Sequence, residues 1–189
     1  ANLFLTPEAR LHLSKAGAVI VKDSSANKCG VICSSFEIIA CMLLSDAEFL
    51  AVKDRFVGEV LTRLRELARL EAELLFAEHR RRPELSLPEV STRLSKIINR
   101  ATDTIADALD RLSPADRELA DALVLEHLPP ALLEVARDRI ATRIPKAYFQ
   151  RIIATSLATR IIYREGLDWL EPLADGAIER IAVRYLRQE

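Results

Sequence analysis

The sequence has 189 residues, of which 50% are hydrophobic and 29% are charged, and its formal net charge is −1. A chain of this length and composition can bury a sizeable core and is typical of globular proteins. The balanced charge argues against nucleic acid or an anionic membrane as a partner, and no apolar run approaches the roughly 20 residues of a membrane-spanning helix. The first residues lack the basic region of a signal peptide.

The first 45 residues combine helix and strand signals. Thr6 can cap a helix that has Pro7 at its first position and that Gly17 ends. The four apolar residues 18–21 then predict a strand buried on both faces, as in a parallel sheet covered by helices. An apolar helical run follows at residues 36–44. The predicted order is helix, strand, turn and helix.

The predicted turn is unusually rich in small and polar residues, and residues 22–37 read KDSSANKCGVICSSFE. The start of a helix offers unpaired backbone N–H groups and the positive end of the helix dipole, which favour an anionic or amide-bearing ligand. Serine and asparagine also cap helices that bind nothing. Composition alone therefore leaves two interpretations open, a ligand site and an ordinary structural turn.

Three cysteines, Cys29, Cys33 and Cys41, lie in and just after this segment. Their number is odd, and the last two are too far apart along a helix to form a disulfide easily. Free thiols in a reducing cytoplasm fit this pattern. The spacing is not C-x-x-C, and His12 is the only nearby imidazole, so we expect no metal site.

From Asp46 onward the sequence predicts a series of amphipathic helices. Apolar residues recur every three or four positions from Phe49 to Leu74, and short loops imply mostly antiparallel packing. We expect Trp169 to be a core anchor because its neighbours are apolar. The residues that separate or begin the helices are Pro83, Ser113, Pro114, Pro129, Pro130, Pro145 and Gly166.

The basic run Arg80-Arg81-Arg82 follows His79 at the end of the first long helix. Arginines at this position usually compensate the helix dipole, although a small nucleic-acid-binding domain built around them is an alternative. The three histidines lie on separate helices, without a nucleophile or paired carboxylate at a useful spacing. Spacing alone therefore predicts no catalytic residue.

Residues 27–37, NKCGVICSSFE, resemble a signature of the glutamate dehydrogenases, Asn-Ala-Gly-Gly-Val-x-x-Ser-x-x-Glu. The matching residues are Asn27, Gly30, Val31, Ser34 and Glu37. Residues 1–2, Ala-Asn, look like the end of the family's Glu-Gly-Ala-Asn motif. Both motifs are most similar to those of the large NAD-specific glutamate dehydrogenases of bacteria. The chain departs from the signature at residues 28–29, where Lys-Cys replaces Ala-Gly.

The resemblance implies oxidative deamination of L-glutamate to 2-oxoglutarate and ammonia, with hydride transfer to NAD. It implies that Asn2 and Asn27 bind the nicotinamide-ribose part of the cofactor, and that Ser34 hydrogen-bonds a substrate carboxylate. Nothing in this chain matches the family motifs that carry the catalytic lysines and aspartate. We therefore expect a C-terminal portion of a longer polypeptide, inactive alone, from a cytoplasmic homo-oligomer of amino-acid catabolism.

The expected fold is mostly α and has two parts. Residues 1–45 would be a short α/β piece that completes a Rossmann-like dinucleotide-binding domain, with the other strands and the G-x-G-x-x-G turn upstream. Residues 46–189 would form an all-α C-terminal helical domain. The alternative is a non-catalytic helical interaction or regulatory module, in which residues 1–45 are only a docking segment.

Overall fold

The computed structural model describes residues 5–188, which form eleven α-helices and two short 3-10 helices. None of the helices in this range is long and apolar enough to cross a membrane. The 3-10 helices are Leu109–Arg111 and Arg137–Arg139. The α-helices are α1 (Pro7–Lys15), α2 (Asp23–Ala26), α3 (Lys28–Leu43), α4 (Asp46–Arg81), α5 (Leu87–Ala108), α6 (Pro114–His127), α7 (Pro130–Ala136), α8 (Ile140–Arg143), α9 (Lys146–Glu165), α10 (Leu167–Leu170) and α11 (Asp175–Leu186).

The fold is all-α across the described residues, so the prediction of an α/β piece completing a Rossmann-like domain is wrong. Residues 18–21, the predicted strand, have no regular secondary structure. A strand exists only if a neighbour pairs with its backbone N–H and C=O groups, and no strand occurs anywhere in residues 5–188 to do so. Val19 is 74% exposed, which also contradicts burial on both faces. The apolar run is a connection between α1 and α2.

Helix α3 begins at Lys28, well before the start near Phe36 that the sequence predicts. Asn27 serves both as the C-cap of α2 and as the N-cap of α3. The residues that match the signature therefore lie in α3 and at its N-cap, and Gly30 and Ser34 have helical backbone conformation.

Several predicted helix ends are confirmed by their capping geometry. The Thr6 side chain accepts the N–H of Ala9 at 3.2 Å, and Gly17 follows α1 with φ +90°. Helix α4 begins with a capping box, in which Ser45 and Glu48 accept each other's backbone N–H groups. Its 36 residues extend about 54 Å at 1.5 Å per residue.

The centre of the fold is the packing of α5 against α9. Helix α11 lies on α5, α6 lies on α9, and α4 runs past both α5 and α9 while also packing on α3 and α7. Fully buried side chains at this centre include Leu94, Ile105, Ile153, Leu157 and Ile161. Each stabilises the fold by about 1.5–3 kcal/mol relative to exposure.

The last corner of the chain contains one confirmed and one wrong prediction. Gly166 ends α9 with φ +89° and its N–H donates to the carbonyl of Ile162 at 2.9 Å. Trp169 is 37% exposed, whereas Leu167 and Leu170 are fully buried. The core anchor of this corner is therefore the leucine pair, because α10 turns these two side chains inward and the indole outward.

Candidate functional site

Helix α3 has two faces of opposite character. One face packs into the common core through Phe36, Ile39, Ala40 and Leu43. The other carries all five residues that match the glutamate dehydrogenase signature, and every one of them is exposed: Asn27, Gly30, Val31, Ser34 and Glu37. Their spacing of three and four residues places them in one stripe along the helix. We call this stripe the signature face.

Asn27 stands at the N-terminal end of the signature face with its amide available. The side chain makes no capping hydrogen bond, and its Oδ1 lies 3.3 Å from where a Cβ on Gly30 would be. Any larger residue at position 30 would therefore push against this amide. Glycine leaves room for the side chain to lie over the helix, where it offers both a donor and an acceptor.

Ser34 lies seven residues further along the same face, which corresponds to about 10 Å of helix. Its side chain is exposed. The neighbouring Ser35 differs, because its hydroxyl donates to the carbonyl of Ile32 at 2.7 Å within the helix. Between and beside the two polar groups lie Val31, 73% exposed, and Ile38, 50% exposed. The signature face thus presents an amide and a hydroxyl separated by apolar surface.

Polar contacts fix the segment before α3 onto α5. Lys22 Nζ donates to the hydroxyl of Thr92 at 3.1 Å. The hydroxyls of Ser25 and Ser91 share a hydrogen bond of 2.5 Å, and Ser91 is fully buried. Helix α2 is therefore attached to the helical region and does not project from it.

A cluster of three polar side chains holds the start of α3, and sequence reasoning did not find it. Lys28 Nζ donates to Glu71 of α4 and to the hydroxyl of Tyr163 of α9, the latter at 2.9 Å. The Tyr163 hydroxyl donates to the same Glu71 oxygen at 3.0 Å. Burial, together with the charge of Glu71, raises the pKa of the Tyr163 phenol. The one available signal was Lys28 itself, which stands where the signature has alanine.

The three cysteines are free thiols. The Cys29 thiol donates to the carbonyl of Leu64 at 3.7 Å, and the Cys33 thiol donates to Glu37 at 3.7 Å. Burial, and secondarily the Glu37 carboxylate, raises the pKa of Cys33, which disfavours the thiolate. Within residues 5–188, no three His, Cys, Asp or Glu side chains stand close enough to hold a metal ion.

Two arginines of the basic run at the end of α4, Arg81 and Arg82, are paired with acidic side chains. Arg82 lies 2.8 Å from Asp168, and Arg81 lies 3.1 Å from Glu78. Asp168 also accepts from Arg93 at 3.4 Å. These contacts tie α4 to α10 and α5. A nucleic-acid site needs positive charges that can contact phosphate groups, and here Glu78 and Asp168 already neutralise Arg81 and Arg82. This surface therefore gives no support to the nucleic-acid alternative.

The residues named from the resemblance have separate outcomes. Asn27 and Ser34 are both exposed on the signature face, Asn27 as the N-cap of α3 and Ser34 within the helix. Asn2 lies outside the described residues. Neither a lysine nor an aspartate belongs to the signature face. The arrangement can bind an extended polar ligand at two points, but it contains no lysine–carboxylate pair for proton transfer.

Comparison with known proteins supports the same resemblance over a longer stretch of the chain than the five signature positions. The family model for Glutamate/Leucine/Phenylalanine/Valine dehydrogenase matches residues 1–68. No solved structure matches the chain.

Three curated relatives are similar to nearly the whole chain. Glutamate dehydrogenase 2 of Dictyostelium discoideum is 34% identical over 181 residues, which are 89% of this chain and 17% of that protein. The NAD-specific glutamate dehydrogenase of Neurospora crassa is 33% identical over 180 residues, 88% of this chain and 17% of that protein. The NAD-specific glutamate dehydrogenase of Saccharomyces cerevisiae is 31% identical over 182 residues, 89% of this chain and 16% of that protein.

The match extends well beyond the signature in each case, and it includes most of the helices that follow. The chain spans 17% or less of the length of these three relatives. The chain is therefore similar, along most of its length, to one segment of much larger NAD-specific glutamate dehydrogenases.

Proposed function

We propose that this chain is part of an NAD-dependent glutamate dehydrogenase, which oxidatively deaminates L-glutamate to 2-oxoglutarate and ammonia. The observation that carries the proposal is the signature face. The residues that match the family signature are exposed together, whereas Phe36 is in the core and Cys29, Ile32 and Cys33 are partly buried against it. The names of the relatives, which specify glutamate dehydrogenase and NAD, support the same activity.

In this proposal the signature face is one wall of the cleft that binds cofactor and substrate. Asn27 contacts the nicotinamide-ribose part of NAD, since an amide can pair with a carboxamide or with a sugar hydroxyl. Ser34 donates a hydrogen bond to a carboxylate of glutamate. Asn2 contributes a second amide to the cofactor. When bound, NAD accepts the hydride from the substrate.

The remaining chemistry comes from other parts of the same polypeptide. Deamination of glutamate needs a lysine of lowered pKa and a carboxylate that transfers protons, and the signature face carries no lysine. We propose that upstream domains supply both groups, so this chain is inactive alone. Residues 1–45 then belong to the catalytic part of the enzyme and residues 46–189 to its C-terminal helical domain.

The wider setting of the enzyme is also part of the proposal. It is a cytoplasmic homo-oligomer of amino-acid catabolism, of the large type found in bacteria. The helical domain supports subunit contacts or domain closure, because its long amphipathic helices supply surface area. This part of the proposal rests on the resemblance of the signature and on the size of the relatives.

The test is NAD-dependent oxidation of glutamate by the complete enzyme and by its Asn27→Ala and Ser34→Ala variants. We expect Asn27→Ala to raise the KM for NAD and Ser34→Ala to raise the KM for glutamate. Loss of a hydrogen bond to the substrate carboxylate predicts about a 10- to 100-fold effect for Ser34→Ala, and loss of one to the uncharged nicotinamide-ribose predicts an effect of up to about tenfold for Asn27→Ala. Matched controls are Asn99→Ala and Ser24→Ala, since both residues are exposed and neither lies on the signature face.

Activity within about twofold of the wild type in both site variants would contradict the proposed roles. The signature face would then be structural. The non-catalytic helical interaction module would become the better interpretation, and binding of a partner by residues 46–189 would be the next measurement.

A further inference from the structure

The cluster of Lys28, Glu71 and Tyr163 joins the start of the signature face to the helical domain. Lys28 is the first residue of α3 and directly follows Asn27. Its ammonium group reaches away from the signature face to a site between α4 and α9. The cluster is therefore one residue from the amide that is proposed to contact NAD.

The three side chains form a closed unit. Glu71 is only 5% exposed, and a buried carboxylate is stable only when a cation and hydrogen bonds compensate its lost hydration. Lys28 provides the charge, and both Lys28 and Tyr163 donate to the same Glu71 oxygen. The Lys28 ammonium also lies 5.6 Å from the centre of the Tyr163 ring. Removing Lys28 or Glu71 breaks the ion pair, whereas removing the Tyr163 hydroxyl takes one hydrogen bond from each of them.

The cluster completes a pair of attachments on the two sides of Asn27. On the N-terminal side, Lys22 and Ser25 bind Thr92 and Ser91 of α5. On the C-terminal side, Lys28 binds α4 and α9. Asn27 makes no side-chain capping bond, and its backbone N–H donates only locally, to the carbonyl of Asp23 at 2.8 Å. Its position is therefore determined by the attachments of its neighbours.

We propose that Lys28, Glu71 and Tyr163 are positioning residues, which hold the first turn of α3 so that Asn27 meets NAD in a productive orientation. This rests on the proposed function of Asn27. The helical domain then acts on the cofactor site through a direct contact, although it contributes no residue to the signature face. Lysine, at a position where the signature has alanine, is the residue that makes this contact.

The experiment compares Lys28→Met, Tyr163→Phe and Lys28→Arg in the complete enzyme. We expect Lys28→Met and Tyr163→Phe to raise the KM for NAD about tenfold, because a small displacement of a binding group is costly. We expect kcat to change by less than about threefold, since no reacting group is removed. Lys28→Arg should recover most of the affinity for NAD, because a guanidinium also donates to a carboxylate.

The control is Lys53→Met, which removes an exposed lysine from α4 and should change neither KM nor stability. Tyr163→Phe matters because it removes a single hydroxyl and keeps the ion pair, so it should fold even if Lys28→Met does not. A lowered melting temperature with an unchanged KM for NAD in Tyr163→Phe would assign the cluster a structural role only and would overturn the proposal.

Amide hydrogen exchange in the same proteins separates this inference from the proposed function. In Tyr163→Phe, residues 23–34 should exchange about tenfold faster, while the α5–α9 core keeps its protection. Absence of glutamate oxidation in the wild-type enzyme would contradict the proposed function without touching this result. Unchanged exchange in residues 23–34 would overturn the positioning role whatever the enzyme does.

Discussion

Phe36 of α3 and His127 at the end of α6 stack with their ring centroids 5.0 Å apart and their planes inclined by 22°. Phe36 is 1% exposed. Burial, and secondarily the charge of Arg63, lowers the pKa of His127 from 6.5 to about 4. The imidazole is therefore neutral at physiological pH, and it joins the helix of the signature face to the core.

The first prediction concerns the stability of this stack in acid. Since folding lowers the pKa of His127, its contribution is complete above about pH 6.5 and is lost as the pH falls towards 4. We expect the free energy of unfolding to fall by about 2 kcal/mol between pH 7 and pH 5 through this residue. Urea unfolding of wild type and His127→Leu at both pH values measures it.

The control for that prediction is His12→Gln, because His12 is exposed on α1. This variant should keep the acid loss of the wild type, whereas His127→Leu should reduce it. An equal loss in wild type and His127→Leu would mean that other groups cause the acid sensitivity.

The second prediction concerns the α5–α9 core. Leu157 is 1% exposed at its centre, so Leu157→Ala should lower the free energy of unfolding by about 2–5 kcal/mol through lost burial and a residual cavity. Leu50→Ala is the matched control, because Leu50 is 67% exposed, and it should change stability by less than about 0.5 kcal/mol. Urea unfolding measures both, and similar effects would contradict the packing described for α9.

The third prediction compares two glycines. Gly166 has φ +89° and ψ 169°, a region that other residues avoid, so Gly166→Ala should destabilise the fold by about 1–3 kcal/mol. Gly58 lies within α4, and nothing stands within 4 Å of the Cβ that alanine would add. Gly58→Ala should therefore raise stability by up to about 1 kcal/mol. Thermal unfolding of the two variants should give shifts of opposite sign.

The fourth prediction concerns the corner between α3 and α4. Glu48 accepts two hydrogen bonds from Arg139, at 3.0 and 2.7 Å, and one from the backbone N–H of Ser45 at 2.8 Å. The Arg139 guanidinium, followed by the Ser45 bonds, lowers the pKa of Glu48 to about 2. Stability from this carboxylate is present above about pH 4.5 and is lost as the pH falls towards 2.

Acid titration of the unfolding transition below pH 5 checks this prediction. Glu48→Gln should show a shallower acid loss than wild type and a lower stability at pH 7. Glu84→Gln, which changes an exposed glutamate in a connecting loop, should behave like wild type. A steep acid transition that persists in Glu48→Gln would show that the corner does not depend on this ion pair.

Local signals predicted the helix boundaries of residues 46–188 well. Pro114 begins a helix and Gly166 ends one through the conformation of the neighbouring backbone. These boundaries can therefore be predicted without knowing the tertiary structure. The two mistakes near the N-terminus have a different origin. Residues 18–21 lacked a partner to form a strand, and pairing is a long-range property.

The early start of α3 could not be predicted from propensity either. Gly30 and Ser34 are weak helix formers, but Cys29, Ile32 and Cys33 pack against the core and favour helical backbone there. Tertiary packing therefore overrides local preference. The contacts of Lys28 could not be predicted from the sequence, because Glu71 and Tyr163 are 43 and 135 residues away along the chain.

In the candidate site, too, some features were named from the sequence and others came only from the structure. Asn27 and Ser34 were named from the resemblance, and no pattern of spacing would have selected them. Their common exposure on one side of a helix came only with the structure, because the sequence predicted a turn at Asn27 and an apolar helical run only from Phe36. The roles of both residues, and that of Asn2, stay predictions until the enzyme is measured.

The opposed faces of α3 make the number of residues in this helix as important as their identity. An α-helix turns by about 100° per residue, so deleting Ser35 would rotate the first part of α3 against the part anchored by Phe36 and Ile39. Asn27, Val31 and Ser34 would then turn together by about 100° relative to Glu37 and to the core contacts, although no residue of the signature face had been replaced. Related chains should therefore tolerate substitutions at the exposed positions of this helix outside the signature face more readily than a change in its length between Asn27 and Leu43.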